Sequence, residues 1–167
     1  MKLIIVTILL IFSFNNNYSI ELTYLTNEAD VTYTHLEDWE AEFLVILNRE
    51  RKKKGKVALT QDYKLDTAAY FHSYQMASLN FCDHRDFDIR AEKYGFLAEN
   101  VAYNYNSAIE YFEAWKNSSS HKKNMFGNYS VTGISFIRKT SIKIIKDKNV
   151  TKKEIVFDET YATQLFK

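Results

Sequence analysis

The chain has 167 residues, of which 46% are hydrophobic and 16% aromatic, and its formal net charge is +1. This apolar content excludes global disorder, and the small net charge excludes a global field that would attract nucleic acid or anionic lipid. The single cysteine, Cys82, excludes an intrachain disulfide. Without a short leader, about 150 residues remain, the usual size of one domain, and we expect a monomer.

The first 19 residues have the layout of a secretory signal peptide. Lys2 precedes an apolar or small run from Leu3 to Phe14, and three asparagines follow. A run of about a dozen residues is too short to span a bilayer, whereas a signal peptide needs only about 7–15. Cleavage near Ser19 would leave no transmembrane segment and a protein that is secreted or held at the cell surface. An uncleaved membrane anchor is the alternative, because the small-residue cleavage signal is poor.

Residues 20–36 lack a clear period and are expected to form an N-terminal arm, so the domain is assigned to residues 37–167. A first helix is predicted from Asp38, and Gly55 is expected to stop it. Its apolar stripe consists of Trp39, Phe43, Ile46 and Leu47. The basic residues near its end are interpreted as partners of the helix C-terminal dipole, with an anion-binding patch as the alternative. They are Arg49, Arg51, Lys52, Lys53, Lys54 and Lys56.

Two further helices are predicted, and strands follow them. Asp62 can cap the second helix, and Ser107 with Glu110 forms a capping box before the third. The apolar faces of these helices hold Leu65, Ala68, Ala69, His72 and Met76 in the second, and Ala108, Phe112 and Trp115 in the third. After Asn128 the pattern alternates as in strands, with a polar break at residues 146–149. Helices grouped before strands predict an α+β fold with a mainly antiparallel sheet.

Common catalytic signatures are absent from the sequence. It has no phosphate-binding Gly-rich loop, no His-Glu-x-x-His helix and no Gly-x-Ser-x-Gly elbow. The polar residues that remain as candidates are His72, Cys82, His84, Glu99, Glu113, Ser118 and His121.

Three of these candidates have a structural interpretation that we favour. His72 shares the apolar stripe of the second helix and is expected to be a hydrogen-bonded core residue. Cys82 lies two residues from His84, which would suit a Cys-His nucleophile, but a lone buried thiol is the commoner case. Glu113 is expected on the solvated face of the third helix.

Six stretches in order resemble the CAP (SCP-like) superfamily in its bacterial form. They are Leu47–Arg51, Ala68–Ala77, Phe81–His84, Ala98–Ala102, Trp115–Met125 and Tyr161–Phe166. The resemblance implies a three-layer α-β-α sandwich with a surface cleft lined by two histidines and acidic residues.

The resemblance also implies which residues line the cleft. His84 and His121 take the places of the two cleft histidines, and Glu99 that of the glutamate in the family's Gly-Glu-Asn motif, which Asn100 continues. Ser118 stands where many eukaryotic members have a second glutamate. Two imidazoles in one cleft can bind Zn²⁺ or another divalent ion, with a carboxylate fixing the tautomer.

The sequence departs from the family pattern at two places beside the cleft. Position 98 is alanine where the family usually has glycine, and Ser119-Ser120 replaces a Pro-Gly pair before His121. The loop before His121 is therefore expected to follow another path.

Three functions are in keeping with these residues. The first is a binding or interaction module that presents the cleft to a lipid, another ligand, or a host or envelope protein. The second is a metal-assisted, peptidase-like hydrolase in which His84 and His121 hold the metal and Glu99 polarises water or orients a ligand. The third is a purely structural role in a surface layer. Whether the protein is an enzyme is left open by the sequence.

Overall fold

The computed structural model describes residues 6–10, 20–25, 30–147 and 150–167. The predicted signal peptide lies outside these residues except for Val6–Leu10, which form strand β1. β1 pairs antiparallel with β2 (Ile20–Leu25). No helix in the described part of the chain combines the length and the apolar character that a bilayer crossing needs.

The remaining elements follow in chain order. They are β3 (Asp30–His35), α1 (Glu37–Lys53), β4 (Thr60–Gln61), α2 (Tyr63–Leu79), α3 (Phe87–Tyr94), β5 (Ala98–Tyr103), α4 (Ala108–Asn117), α5 (Ser119–Met125), β6 (Val131–Asp147) and β7 (Val150–Phe166). The sheet order is β1-β2-β3-β6-β7-β5, and every neighbouring pair along this path is antiparallel. The short β4 pairs with β6 in parallel.

Helices cover both faces of this sheet. On one face α1, α4 and α5 bury an aromatic core that includes Phe43, Tyr111 and Trp115 against Phe136 of β6. On the other face α2 and α3 pack on the sheet in two further apolar clusters. The predicted three-layer α-β-α sandwich is confirmed, and the alternation of β6 and β7 side chains explains it, because each strand buries residues on both faces.

The helix starts follow local capping rules. The Leu65 amide donates to the Asp62 carboxylate at 3.0 Å at the start of α2, and the Glu110 amide donates to the Ser107 hydroxyl at 3.2 Å at the start of α4. The Glu110 carboxylate accepts from the Asn106 amide at 2.8 Å. As predicted, α1 stops just before Gly55, whose φ of +67° is a left-handed conformation that suits glycine.

The segment expected to be an arm contributes to the sheet. β3 pairs with β6 from Asp30 opposite Ile142 to His35 opposite Ile137. Val31 and Tyr33 alternate with threonines and pack with the side chains of α2. The sequence did not predict this strand because its alternation is short, and because its partner strand β6 lies about a hundred residues later in the chain.

Arg51 is a core residue and not a surface partner of the helix dipole. Its side chain is almost fully buried, and its guanidinium donates to the carbonyls of Val57 at 2.9 Å, Met125 at 2.6 Å, Gly127 at 3.2 Å and Tyr129 at 2.8 Å. Burial lowers its pKa. This arginine ties the end of α1 to the chain that follows α5, whereas Lys52, Lys53, Lys54 and Arg49 do stay at the surface.

Candidate functional site

The strand β5 lies at the sheet edge where both helical layers meet. Consecutive residues of a strand point to opposite faces, so Glu99 contacts the α2 and α3 layer while Asn100 contacts α5. A site that draws side chains from both layers therefore forms around this one strand.

The Glu99 carboxylate is fully buried and engaged at both oxygens. Oε1 accepts from His84 Nδ1 at 2.9 Å and from Arg90 Nη2 at 3.0 Å, and Oε2 accepts from Arg90 Nη1. Burial opposes the charge of Glu99, but the hydrogen bonds from His84 and Arg90 outweigh it and lower the pKa of the carboxyl. Glu99 is thus a carboxylate held in place by a cation.

His84 is the exposed member of the network. Its side chain is 52% exposed, and the hydrogen bond to Glu99 raises the pKa of the imidazole although partial burial opposes this. With Nδ1 directed to Glu99, Nε2 is the nitrogen left for a ligand.

His72 supports His84 from behind. Its ring is buried, its Nε2 donates to the Asp83 carbonyl at 3.0 Å, and the same nitrogen lies 4.0 Å from Glu99 Oε1. Burial lowers the pKa of His72, so the ring is a neutral donor. The prediction of a hydrogen-bonded core histidine is confirmed, and this histidine fixes the backbone immediately before His84.

His121 reaches the site from α5, in the other layer. Its ring packs edge-on to Trp115 with centroids 6.3 Å apart. Burial lowers the pKa of the imidazole, and the charge of His84 lowers it further. The Asn100 amide donates to the His121 carbonyl at 3.2 Å, and Asn124 donates to Asn100 Oδ1 at 2.9 Å. Asn100 therefore anchors α5 to β5.

Ser118, Cys82 and Glu113 stand apart from this network. Ser118 is the N-cap residue of α5, and its hydroxyl lies 3.2 Å from that of Ser120. Burial raises the pKa of the Cys82 thiol to about 11, so the thiol is protonated and no activated nucleophile. Glu113 accepts from Lys116 at 3.1 Å on the exposed face of α4, as its spacing predicted.

The site offers few donors to a divalent ion. The described residues contain no group of three or more His, Cys, Asp or Glu side chains that could converge on a metal. Glu99 is already engaged by Arg90, which leaves the ring nitrogens of His84 and His121 as donors. Two imidazoles fit an ion such as Zn²⁺ only when water or a ligand completes the coordination shell.

Arg90 is the functional residue that the sequence prediction missed. It lies in α3, a helix that the sequence prediction did not include, nine residues before Glu99. A signal was present, because a carboxylate inside an apolar strand segment needs a cationic partner. Arg85, Arg90 and Lys93 were the nearby cations, and sequence spacing does not choose among them.

Comparison with protein families identifies the family of this chain. The profile of the family described as "Cysteine-rich secretory protein family", CAP, matches residues 44–144. The chain therefore belongs to the CAP family, although it carries a single cysteine.

The relatives in sequence and structure are bacterial. The chain is 28% identical over 127 residues to the uncharacterized protein YkwD of Bacillus subtilis, covering 70% of this chain and 49% of that protein. It is 30% identical over 115 residues to the uncharacterized membrane protein YlbC of the same organism, covering 60% of this chain and 32% of that protein. The chain thus spans half or less of the length of these relatives.

Solved structures share the fold. An outer surface protein from Borrelia burgdorferi superposes with a TM-score of 0.56 at 16% identity, over 80% of this chain and 96% of that one. An extracellular SCP-domain protein from Bacillus anthracis gives 0.56 at 13% identity, over 88% of this chain and 59% of that one. A cysteine-rich secretory protein from Staphylococcus aureus gives 0.54 at 17% identity, over 86% of this chain and 40% of that one.

Proposed function

We propose that this protein is a secreted or surface-held binding module whose cleft, formed by His84, Glu99 and His121, takes a divalent ion and a ligand. The observation that carries the proposal is the full engagement of Glu99 by Arg90 and His84. A carboxylate fixed in this way orients His84 and is a poor proton acceptor.

The same observation weighs against the hydrolase alternative. A metal-assisted hydrolase needs a carboxylate or other base that can take a proton from water. Glu99 has a lowered pKa and no free oxygen. The cleft is therefore better suited to holding a ligand than to activating water.

Metal chemistry in this cleft would rest on two ring nitrogens. His84 and His121 would hold the ion, which would supply a Lewis acid that attracts a ligand oxygen or nitrogen. His72 and Glu99 keep His84 in place, and Asn100 keeps α5, which carries His121, against β5.

The proposed location rests on the N-terminal leader and on the relatives. Residues 1–19 have a signal-peptide layout, and two of the structural neighbours are described as an outer surface protein and an extracellular protein. In such a setting the ligand is a lipid, another small molecule, or a protein of the envelope or host.

Calorimetric titration of the purified protein with ZnCl₂ tests the cleft. We expect one weak binding isotherm in the parent and a loss of at least about tenfold in affinity in His84→Ala and in His121→Ala. Glu42→Gln removes an exposed carboxylate of α1 outside the cleft and is the control, with affinity unchanged.

Two results would overturn the proposal. One is a parent protein that binds no zinc. The other is an isotherm that persists in both cleft variants. Turnover of a peptide panel by the parent, abolished in His121→Ala, would favour the hydrolase instead.

A further inference from the structure

Apart from the cleft at β5, the structure has a cavity of about 490 Å³ beside the starts of α1 and α2. This volume is in the range of sites that hold small molecules. At its base a short stretch of β6 has neither β3 nor β4 paired with it, because β3 pairs with β6 only as far as Ile137 while β4 pairs only with Val131 and Thr132. The cavity occupies the gap that these two strands leave.

Asp66 of α2 lies in this gap. Its Oδ1 accepts from the Ile134 amide at 3.1 Å, a donor that a neighbouring strand would otherwise satisfy, and from Gln61 Nε2 at 3.3 Å. Within the described residues no protein donor bonds the second oxygen. Burial, with the charges of Glu40 and Asp62 adding to it, raises the pKa of Asp66 to about 6. No lysine or arginine of the described chain bonds this carboxylate.

The other polar groups of the cavity add negative charge. Glu40 is 7% exposed and bonds His35 Nε2 at 2.5 Å, and Glu37 lies 3.6 Å from His35 Nδ1. Three carboxylates thus accompany one imidazole, and no lysine or arginine of the described chain lines the cavity. Even with His35 protonated, the site favours a cation.

The walls of the cavity are aromatic and favour an apolar body on that cation. Tyr63, Tyr70 and Phe71 line it, and Phe71 is 57% exposed. Aromatic faces attract an ammonium group and contribute apolar contact area. The carboxylates do not converge as metal ligands in the described part of the chain, so an organic cation fits this volume better than a bare metal ion.

We propose that this cavity binds an organic ammonium ion that carries an apolar group. The ammonium donates to the Asp66 and Glu40 carboxylates, and the apolar group packs on Phe71 and its neighbours. The proposal is independent of the cleft at β5, since none of these residues belongs to the Glu99 network.

Titration of the protein with 2-phenylethylammonium chloride tests the proposal by calorimetry and by amide NMR shifts. We expect saturable binding that shifts the amides of Ile134, Thr67 and Phe71. Asp66→Asn and Glu40→Gln are expected to weaken it at least about tenfold. Phe71→Ser is expected to weaken it severalfold. Glu92→Gln, a change of an exposed carboxylate outside the cavity, is the matched control and leaves the affinity unchanged.

Two comparisons decide the chemistry of the site. Neutral 2-phenylethanol should bind at least about tenfold more weakly than the ammonium, and CaCl₂ should give no saturable shifts of the same amides. Equal binding of the alcohol, competition by calcium, or full affinity in a folded Asp66→Asn protein would each overturn the proposal.

Discussion

Among the described residues, the buried carboxylates of Glu99 and Glu40 each bond a histidine, but they lie in opposite electrostatic surroundings. In the cleft, His84 bonds Glu99, and Arg90 adds a second cation. In the cavity, His35 bonds Glu40, and the further neighbours are carboxylates, Glu37 among them. The same type of pair is therefore balanced in one place and left with excess negative charge in the other.

This difference separates two uses of a buried carboxylate. A carboxylate with a built-in cation is fixed, and it positions the residues around it. One without a lysine or arginine beside it retains an attraction for a cation. The following substitutions break or sharpen the contrast.

Arg90→Leu should have the largest effect, because it leaves the Glu99 charge buried without its cation. We expect a loss of about 3–5 kcal/mol in the free energy of unfolding, measured by urea denaturation at pH 7. The double variant Arg90→Leu with Glu99→Gln should recover part of the loss.

Arg85→Ala is the matched control for that change. Arg85 is about half exposed and pairs with Asp83 at 3.3 Å, so its removal should cost less than about 1 kcal/mol. Equal losses for the two arginines would contradict a structural role for the Glu99 network.

Gly133→Ala should disturb both sites together by displacing α2, which carries Asp66 and His72. A Cβ at position 133 would lie 2.2 Å from the Leu65 carbonyl carbon, so helix and sheet would have to move apart. We expect a loss of about 2–3 kcal/mol in the free energy of unfolding, measured by urea denaturation. Gly55→Ala is the control, because a Cβ at position 55 would have no atom within 4 Å. Its expected loss in the free energy of unfolding is about 1–2 kcal/mol, from backbone strain alone. A smaller loss at Gly133 than at Gly55 would argue against the close approach of α2.

His72→Phe should loosen the cleft and leave the cavity unchanged. The Asp83 carbonyl would lose its buried donor, at a cost of about 1–2 kcal/mol. The imidazole nitrogen NMR shifts of His84 should change, whereas those of His35 should not. His72→Gln, which keeps a donor, should restore part of both effects. Unchanged His84 shifts in a folded His72→Phe protein would show that His72 does not position His84.

Asp66→Asn should have the smallest effect and a distinct pH dependence. Because folding raises the pKa of Asp66 from the usual range near 4 to about 6, the folded state holds the proton more tightly. The stability that this contributes is complete below about pH 4 and is lost as the pH rises through 6. The variant should therefore exceed the parent by about 1 kcal/mol at pH 7, after screening, and hardly at all at pH 4.

Urea denaturation at both pH values measures this difference. Asp88→Asn, at an exposed position of α3, should show no such trend. A stability difference between Asp66→Asn and the parent that is equal at both pH values would contradict the burial of an unpaired carboxylate.

Much of the fold was predictable from short-range patterns. The apolar stripes of α1, α2 and α4 and the caps at Asp62 and Ser107 depend on residues within one or two helical turns. The alternation in β6 and the order of helices before strands predicted the layered α+β fold. The bonded pair His84 and Glu99 could be named because the family pattern holds their order along the chain.

The polar partners of the site could not be chosen in this way. Arg85, Arg90 and Lys93 all lie within the 14 residues before Glu99, and only the packing of α3 selects Arg90. In the sequence, Asp66 is an ordinary acidic residue of a predicted helix. Only the structure shows that it fills the gap between β3 and β4 and accepts a hydrogen bond from the Ile134 amide.

The sequence by itself determined the family and the elements that local periodicity and capping specify. The tertiary structure decided the pairings over long distances, such as Arg51 with the Tyr129 carbonyl 78 residues away. It also decided the place of β3 at the edge of β6. The physical reason is that a buried charge or an open strand edge is satisfied by whatever the packed layers bring beside it, and sequence spacing does not record which group that is.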